Sequence, residues 1–314
     1  MTNSTIGIDV SKDHLDAHRL PDGGAKQFTN DGSGHKALIR WVKTTAVDRI
    51  VFEATGLYTR DLEQALAGAG LPTVKVNPRQ ARRFAEAVGT LAKTDAVDAA
   101  MLARMGKAHE LTPPPPQSKS IMLLKELLLA RRALVKDQTA AKNRQKIASA
   151  PVVKKMLSRR IDQIARDIAI IDAEITKQIA EDAELARRVA ILLSIPGVGA
   201  VTAAVLIIEM PELGTIDHKQ AACLAGVAPM ARQSGSWTGK AHIRGGRAAL
   251  RQALYMPALV AARFNPALKA IYDNLTEAGK PAKVAITAVM RKLICLANAL
   301  LRKGRPWAEN PACA

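Results

Sequence analysis

Apolar positions follow two different periods along this chain. In "STIGIDVSKDHLDAHRLPDGGAKQFTN", residues 4–30, short alternating runs are broken by PDGG, which predicts two strands, a tight turn and a third strand of an antiparallel meander. Helical spacing takes over around 33–45 and leads to the strand "RIVFEAT", a helix from about 57 to 69, and the strand "PTVKVNP". Further helical segments follow Pro78 and run through "LAKTDAVDAAMLA", residues 91–103. Strands first, then strand alternating with helix, predict a mixed sheet with flanking helices, and the run Pro113–Pro116 ends it as a stiff linker.

From Ser118 to about Ser149, and again from 152 to about 182, apolar residues recur at helical spacing among charged ones, with Pro151 between the stretches. This predicts a helical hairpin whose first arm, at ~1.5 Å per residue, is roughly 45 Å long. Such an arm cannot bury its whole surface in one small domain, so it should project and pair with another chain or with nucleic acid, unless it is a solvated spacer. The remainder is helical, except that "APMARQSGSWTGKAHIRGGRAALR", residues 228–251, lacks periodicity and predicts a long polar loop. Three parts result: 1–112, 118–185 and 186–314.

Charge changes this picture. Up to residue 110 there are 15 basic against 13 acidic side chains, and after it 31 against 15, so 16 of the 18 net positive charges lie in the later part. A polyanion should bind there, through phosphate attraction and counterion release. Aromatic residues make up 3% of the chain, too few for a surface that works by stacking single-stranded bases, so backbone contacts should dominate. Cys223, Cys295 and Cys313 form no paired motif, which excludes a disulfide framework or zinc ribbon and fits a cytoplasmic protein. The longest apolar stretch, 189–210, is interrupted by Pro196, Gly197, Gly199 and Glu209, so no membrane partner is expected.

Four acids stand out. Asp9 lies within the apolar strand "IGIDVS" and Glu53 closes "IVFE", positions where a carboxylate is costly to desolvate unless paired or holding a cation. Asp95 and Asp98 are spaced to share one helix face, where like charges repel unless a cation intervenes. Each also has a plain reading as a turn, cap or helix-dipole residue, with Thr94 or Asp95 as the cap.

Together, "GIDVSKDHLD", "FEATGLY" and "KTDAVDAAMLA" resemble the DEDD signature of the RuvC-like domain in transposases of insertion-sequence family 110, relatives of the Piv-type invertases. The resemblance continues through "SIPGVGAVTAAVLIIEM", residues 221–229, "RQSG", "LRQALYMPALVA" and "GKPAKVAITAVMRKL", and departs locally at 218–222, where "HKQAA" lacks the usual aromatic start. It implies an α/β RNase H/RuvC-like domain over 1–112, a coiled-coil hairpin over 118–185, and a helical C-terminal transposase domain over 186–314 with a helix-hairpin-helix-like turn.

The resemblance further implies that Asp9, Glu53, Asp95 and Asp98 bind Mg²⁺ and that Ser234 is the nucleophile, the two halves forming one composite centre. Ser236 is the rival nucleophile. Arg232, Lys240, His242, Arg244, Arg247 and Arg251 surround this segment as phosphate ligands, and Gly235 would let the backbone approach DNA. Gly197 and Gly199 could free backbone N–H groups for a phosphate, or simply turn the chain between buried helices. Tyr255 is expected in the core with a polar tip, and His14, His18, His35, His109 and His218 show no ligand spacing. The implied activity is DNA cutting and rejoining by a homo-oligomer, dimer or tetramer, with a structured bridge RNA pairing to donor and target DNA. Two alternatives stand beside it: a junction-resolving nuclease that uses water, and a non-catalytic nucleic-acid-binding protein.

Overall fold

The computed structural model describes residues 4–54, 56–92, 94–113 and 118–308, and it divides into two units, 1–117 and 118–314. Cys313 and Pro114–Pro116 of the expected linker lie outside the described residues.

In the first unit, β1 (Ser4–Val10), β2 (His14–Leu20) and β3 (Ala25–Thr29) form the antiparallel meander. After α1 (Gly32–Val42), strand β4 (Val47–Glu53) returns parallel to β1. A short 3-10 turn, Gly56–Thr59, and α2 (Arg60–Gly68) lead to β5 (Thr73–Val76), parallel to β4, so the sheet order is β3-β2-β1-β4-β5. The expected mixed sheet is thus present, with α3 (Pro78–Ala87) and α4 (Asp95–Ala108) completing the unit.

Strand alternation sorts β1 into two faces. Ile6, Ile8 and Val10 join a core with Leu15, Phe28, Leu38, Leu62 and Leu66. Val51, Val74, Leu102 and Met105 form the core on the other side, so Thr5, Gly7 and Asp9 face α4. His35 is buried with its Nε2 hydrogen-bonded to Asn30 Oδ1 at 2.8 Å, and His109 meets the edge of Phe84, both packing roles.

The second unit opens with α5 (Lys119–Ile147) and α6 (Pro151–Ala180), which pack along each other and are clasped by Arg131 and Asp172 at 2.5 Å. Pro151 is not a break between them but the first residue of α6, where its missing N–H costs nothing. Leu124, Leu128, Ile175 and Ile179 at the hairpin's base belong to one core with the helices that follow. These are α7 (Ala183–Leu193), α8 (Ala200–Glu209), α9 (His218–Leu224), α10 (Ala248–Phe264), α11 (Pro266–Glu277) and α12 (Ala282–Lys303). Among the described residues α12, rather than 189–210, is the helix long and apolar enough to cross a membrane, and its Val289, Leu293 and Ala297 are fully buried in the core.

Two expectations are corrected here. The segment predicted as a polar loop is an antiparallel ribbon of β6 (Pro229–Ser234) and β7 (Trp237–Ile243). All of its residues but the half-buried Gly239 are exposed, so it has no apolar face to give a period-two signal. Tyr255 is not a core residue: it is 43% exposed on α10, whose buried face is Leu250, Leu254, Ala258 and Ala261.

Candidate active site

Main-chain packing brings the acids together. Asp9 follows Ile8, which pairs with Phe52 of β4, so Asp9 and Glu53 stand side by side at the C-terminal ends of two adjacent parallel strands. A Cβ on Gly7 would run into the backbone of Ala99 and Ala103, and one on Gly106 would stand 2.5 Å from Val51 Cγ2 and 3.1 Å from Thr5 Cγ2. Helix α4 therefore lies antiparallel to β1 and β4, with its backbone directly on that of β1 at Gly7 and its Gly106 against the side chains of Val51 and Thr5. From the contact at Ala99 to Asp95 is one turn of helix, ~6 Å, and from Gly7 to Asp9 is two strand residues, ~7 Å. The N-terminal turn of α4 thus arrives where Asp9 and Glu53 end their strands.

Capping is assigned elsewhere. Thr94 is the N-cap of α4, its side chain accepting the Val97 N–H at 3.3 Å, which leaves Asp95 and Asp98 in the first turn without that duty. Asp95 is exposed, and Asp9, Glu53 and Asp98 are half-buried. The Asp9 carboxyl is raised from 3.8 to about 6, first by burial and then by the negative charges of Asp95, Asp98, Glu53 and Asp16. Among the described residues no three acids, histidines or cysteines already stand at ligand distance from a common point, so the carboxylates converge in charge but are not drawn tight.

Asp16 carries no signal of its own in the sequence. It sits directly opposite Asp9 across the β1–β2 ladder, where like charges repel, and its carboxylate accepts hydrogen bonds from Gln27. Gly7 was equally silent, although a glycine inside an apolar strand is the usual mark of a close backbone approach.

Ser234 lies at the far end of the ribbon, paired with Trp237 across a two-residue turn of Gly235 and Ser236. Gly235 has φ 55° with open space around its Cα, so its glycine serves the turn, which demands a positive φ at its first position. The Ser234 hydroxyl is exposed and makes no hydrogen bond among the described residues. Strand alternation puts Arg232 on its face and Lys240 on the opposite one, while His242 pairs with Met230 beyond an irregularity in the ladder; all three, and Arg244, are exposed.

The remaining basic residues have internal partners. Arg247 donates to both carboxylate oxygens of Glu212 and to Glu209 O at 2.7 Å. Burial alone would raise Glu212, but the Arg247 hydrogen bonds and nearby cations hold it below its ordinary value. Arg251 donates to Gly245 O at 2.8 Å, and a Cβ on Gly246, whose φ is 66°, would strike the backbone of Gly226. These contacts fix the root of the ribbon to the helical core while its tip extends free. Gly197, at φ 99°, is pressed against α10, where a Cβ would lie 2.8 Å from Pro257 O. Gly199 is exposed at the N-cap of α8 with nothing within 4 Å of an added Cβ.

Residues 6–147 match the DEDD family described as "Transposase", and residues 189–273 match the family described as "Transposase IS116/IS110/IS902 family". The chain is 32% identical to the "Pilin gene-inverting protein" of Moraxella bovis, covering 99% of each. It is 35% identical to the "Insertion element IS110 uncharacterized 43.6 kDa protein" of Streptomyces coelicolor over 36% of this chain and 29% of that protein. Among solved structures, "T. thermophilus RuvC in complex with Holliday junction substrate" matches with 12% identity and a TM-score of 0.26, covering 36% of this chain and 99% of that one.

Proposed function

Since the chain belongs to the IS116/IS110/IS902 family of transposases, a family of DNA recombinases, we propose that it cuts and rejoins DNA using a carboxylate-held divalent cation and the Ser234 hydroxyl. The observation that carries this reading is the convergence of Asp9, Glu53, Asp95 and Asp98 at one end of the sheet, with Asp9 raised to about 6 by its acidic neighbours. Such a set fits a hard cation, since oxygen donors suit Mg²⁺ and the mutual repulsion of the acids is what a cation relieves. When bound, the cation supplies charge neutralisation on a phosphate and polarises the oxygens of an in-line displacement.

The protein's own groups do the rest. Arg232 holds a phosphate on the face of the ribbon that carries Ser234, the Ser234 Oγ forms a bond to phosphorus, and the P–O bond to one DNA strand breaks. The seryl proton passes to a base and the leaving oxygen takes up a proton; the reverse step with a second strand end frees the serine and rejoins DNA. Target choice is delegated to base pairing with a structured RNA, a reading supported by the excess of cations over aromatic side chains. We assign self-association to the α5–α6 hairpin, whose Leu129 and Ile170 are 64% and 67% exposed, and a further phosphate contact to the open N-terminus of α8 at Gly199.

One experiment separates the possibilities. Wild type, given a nicked DNA that traps the intermediate, should form a covalent adduct mapping to Ser234, and Ser234→Ala should bind DNA and RNA but yield neither adduct nor joined product. Recombination by Ser234→Ala and not by Ser236→Ala moves the nucleophile two residues along. Metal-dependent cutting by the double variant, with no adduct in any protein, makes water the nucleophile. RNA content is checked by sequencing whatever nucleic acid co-purifies.

A further inference from the structure

The second unit holds a groove of about 620 Å³ between α9 and α12, away from the serine at the ribbon's tip. His218 and Lys219 stand on one wall and Arg291 and Lys292 on the other, with Cys295 and Pro229 also lining it. Among the described residues none of Lys219, Arg291 and Lys292 is ion-paired. The nearest acid in sequence, Asp217, is engaged in capping α9 through the N–H groups of Lys219 and Gln220. Three cationic side chains therefore line one groove, none of them ion-paired among the described residues, and the nearby Asp217 carboxylate, which feels the charge of Lys219, stays bound to the N-terminus of α9. Elsewhere in the same unit Arg247, Arg131 and Arg187 each meet a carboxylate.

Position narrows the partner. Pro229 is the first residue of β6, so the groove opens at the root of the ribbon whose other end carries Ser234. Five strand residues at ~3.3 Å each put about 17 Å between the groove and Ser234. We propose that this groove is a second phosphodiester-binding site, which grips a nucleic-acid backbone roughly five nucleotides from the phosphate presented to Ser234, at ~3.4 Å per nucleotide. This rests on the reading of Ser234 as the reacting group for its spacing, but not for its chemistry: the groove takes a polyanionic backbone whether or not the serine reacts. Duplex DNA and folded RNA present the same phosphodiester chemistry.

Counterion release provides the test. In the full chain, Lys219→Gln, Arg291→Gln and Lys292→Gln together should make the slope of log K against log salt shallower by about 2–3 for duplex DNA, at ~0.9 per phosphate contact. The same titration with a folded RNA tells which polymer occupies the groove, since only the occupant's slope falls. Unchanged slopes with both overturn the proposal. Cys295, half-buried in the groove with its thiol donating to His218 O at 3.4 Å, gives a second readout that needs no charge variant. In a Cys223→Ser, Cys313→Ser background, saturating nucleic acid should slow its alkylation by iodoacetamide at least fivefold, and an unaltered rate counts against the site even if the triple variant fails to fold. Neutral methylphosphonate links scanned along the DNA should weaken wild type, but not the triple variant, roughly five nucleotides from the cut. A weakening confined to other positions refutes the spacing. Ser234→Ala should keep both the slope and the Cys295 protection, so loss of the serine reading leaves the groove result standing.

Discussion

Asp9 keeps its proton to about pH 6 because it is half-buried among Asp95, Asp98, Glu53 and Asp16. Its folded value lies above the unfolded 3.8, so ionisation opposes folding: the metal-free chain gains stability as pH falls through about 6 and loses it as pH rises again. Two outcomes follow at the residue scale. Asp9→Asn should raise the thermal midpoint of metal-free protein at pH 7.5 by roughly 1–3 °C after solvent screening, with no gain below pH ~3.8, by calorimetry. Asp98→Asn should lower the Asp9 midpoint in an NMR titration and abolish recombination while leaving fold and nucleic-acid binding intact; full activity would return Asp98 to a helix-dipole role. Asp9 and Glu53 were legible because an acid inside or closing an apolar strand is anomalous in the sequence alone. Arg247 was not, since nothing local distinguishes it from Arg244. Its partner Glu212 is 35 positions away, so only the fold pairs them. Glu212→Gln should cost about 1–2 kcal/mol of stability by urea unfolding, against less than ~0.5 for the exposed Arg232→Gln.

Among the elements, the turn at Gly197–Gly199 divides into two tasks that the sequence leaves merged. Gly197 has a positive φ and no room, so Gly197→Ala should destabilise by about 2–4 kcal/mol whatever it does to binding. Gly199→Ala meets neither obstacle and should fold normally. If the α8 N-terminus holds a phosphate, its loss will appear as weaker DNA affinity in that variant alone, and equal affinity removes this contact. Helices and the five-strand sheet were readable from periodicity because each has a core-facing side. The serine ribbon has none. Its strands are held by their ladder, by a glycine turn, and by glycine contacts at Gly226 and Gly246 that no pattern of polar and apolar letters encodes.

At the scale of the whole molecule, the hairpin has a structural base and, on the proposed reading, an associating tip. Its base is structural, because Leu124, Leu128, Ile175 and Ile179 are part of the second unit's core, so removing the entire hairpin would expose that core. Removing only 139–164 and closing the arms with a short glycine linker keeps those four residues and the Arg131–Asp172 clasp. That variant should fold with an unchanged midpoint yet run as a smaller species by light scattering and fail to recombine. An unaltered oligomer would place self-association elsewhere.

The bare backbone contact at Gly7 bears on how freely this protein can change. The four acids of the proposed site come from two strands and a helix, and at Gly7 the distance between β1 and α4 is set by main chain lying on main chain. Substitutions on the outward faces of α4 and in the far core of the sheet can therefore accumulate without moving the acids relative to one another. A single methyl group at position 7 would instead push the whole helix off the strand and part Asp95 and Asp98 from Asp9 at once. The proposed centre thus depends on one position, Gly7, that carries no chemistry at all.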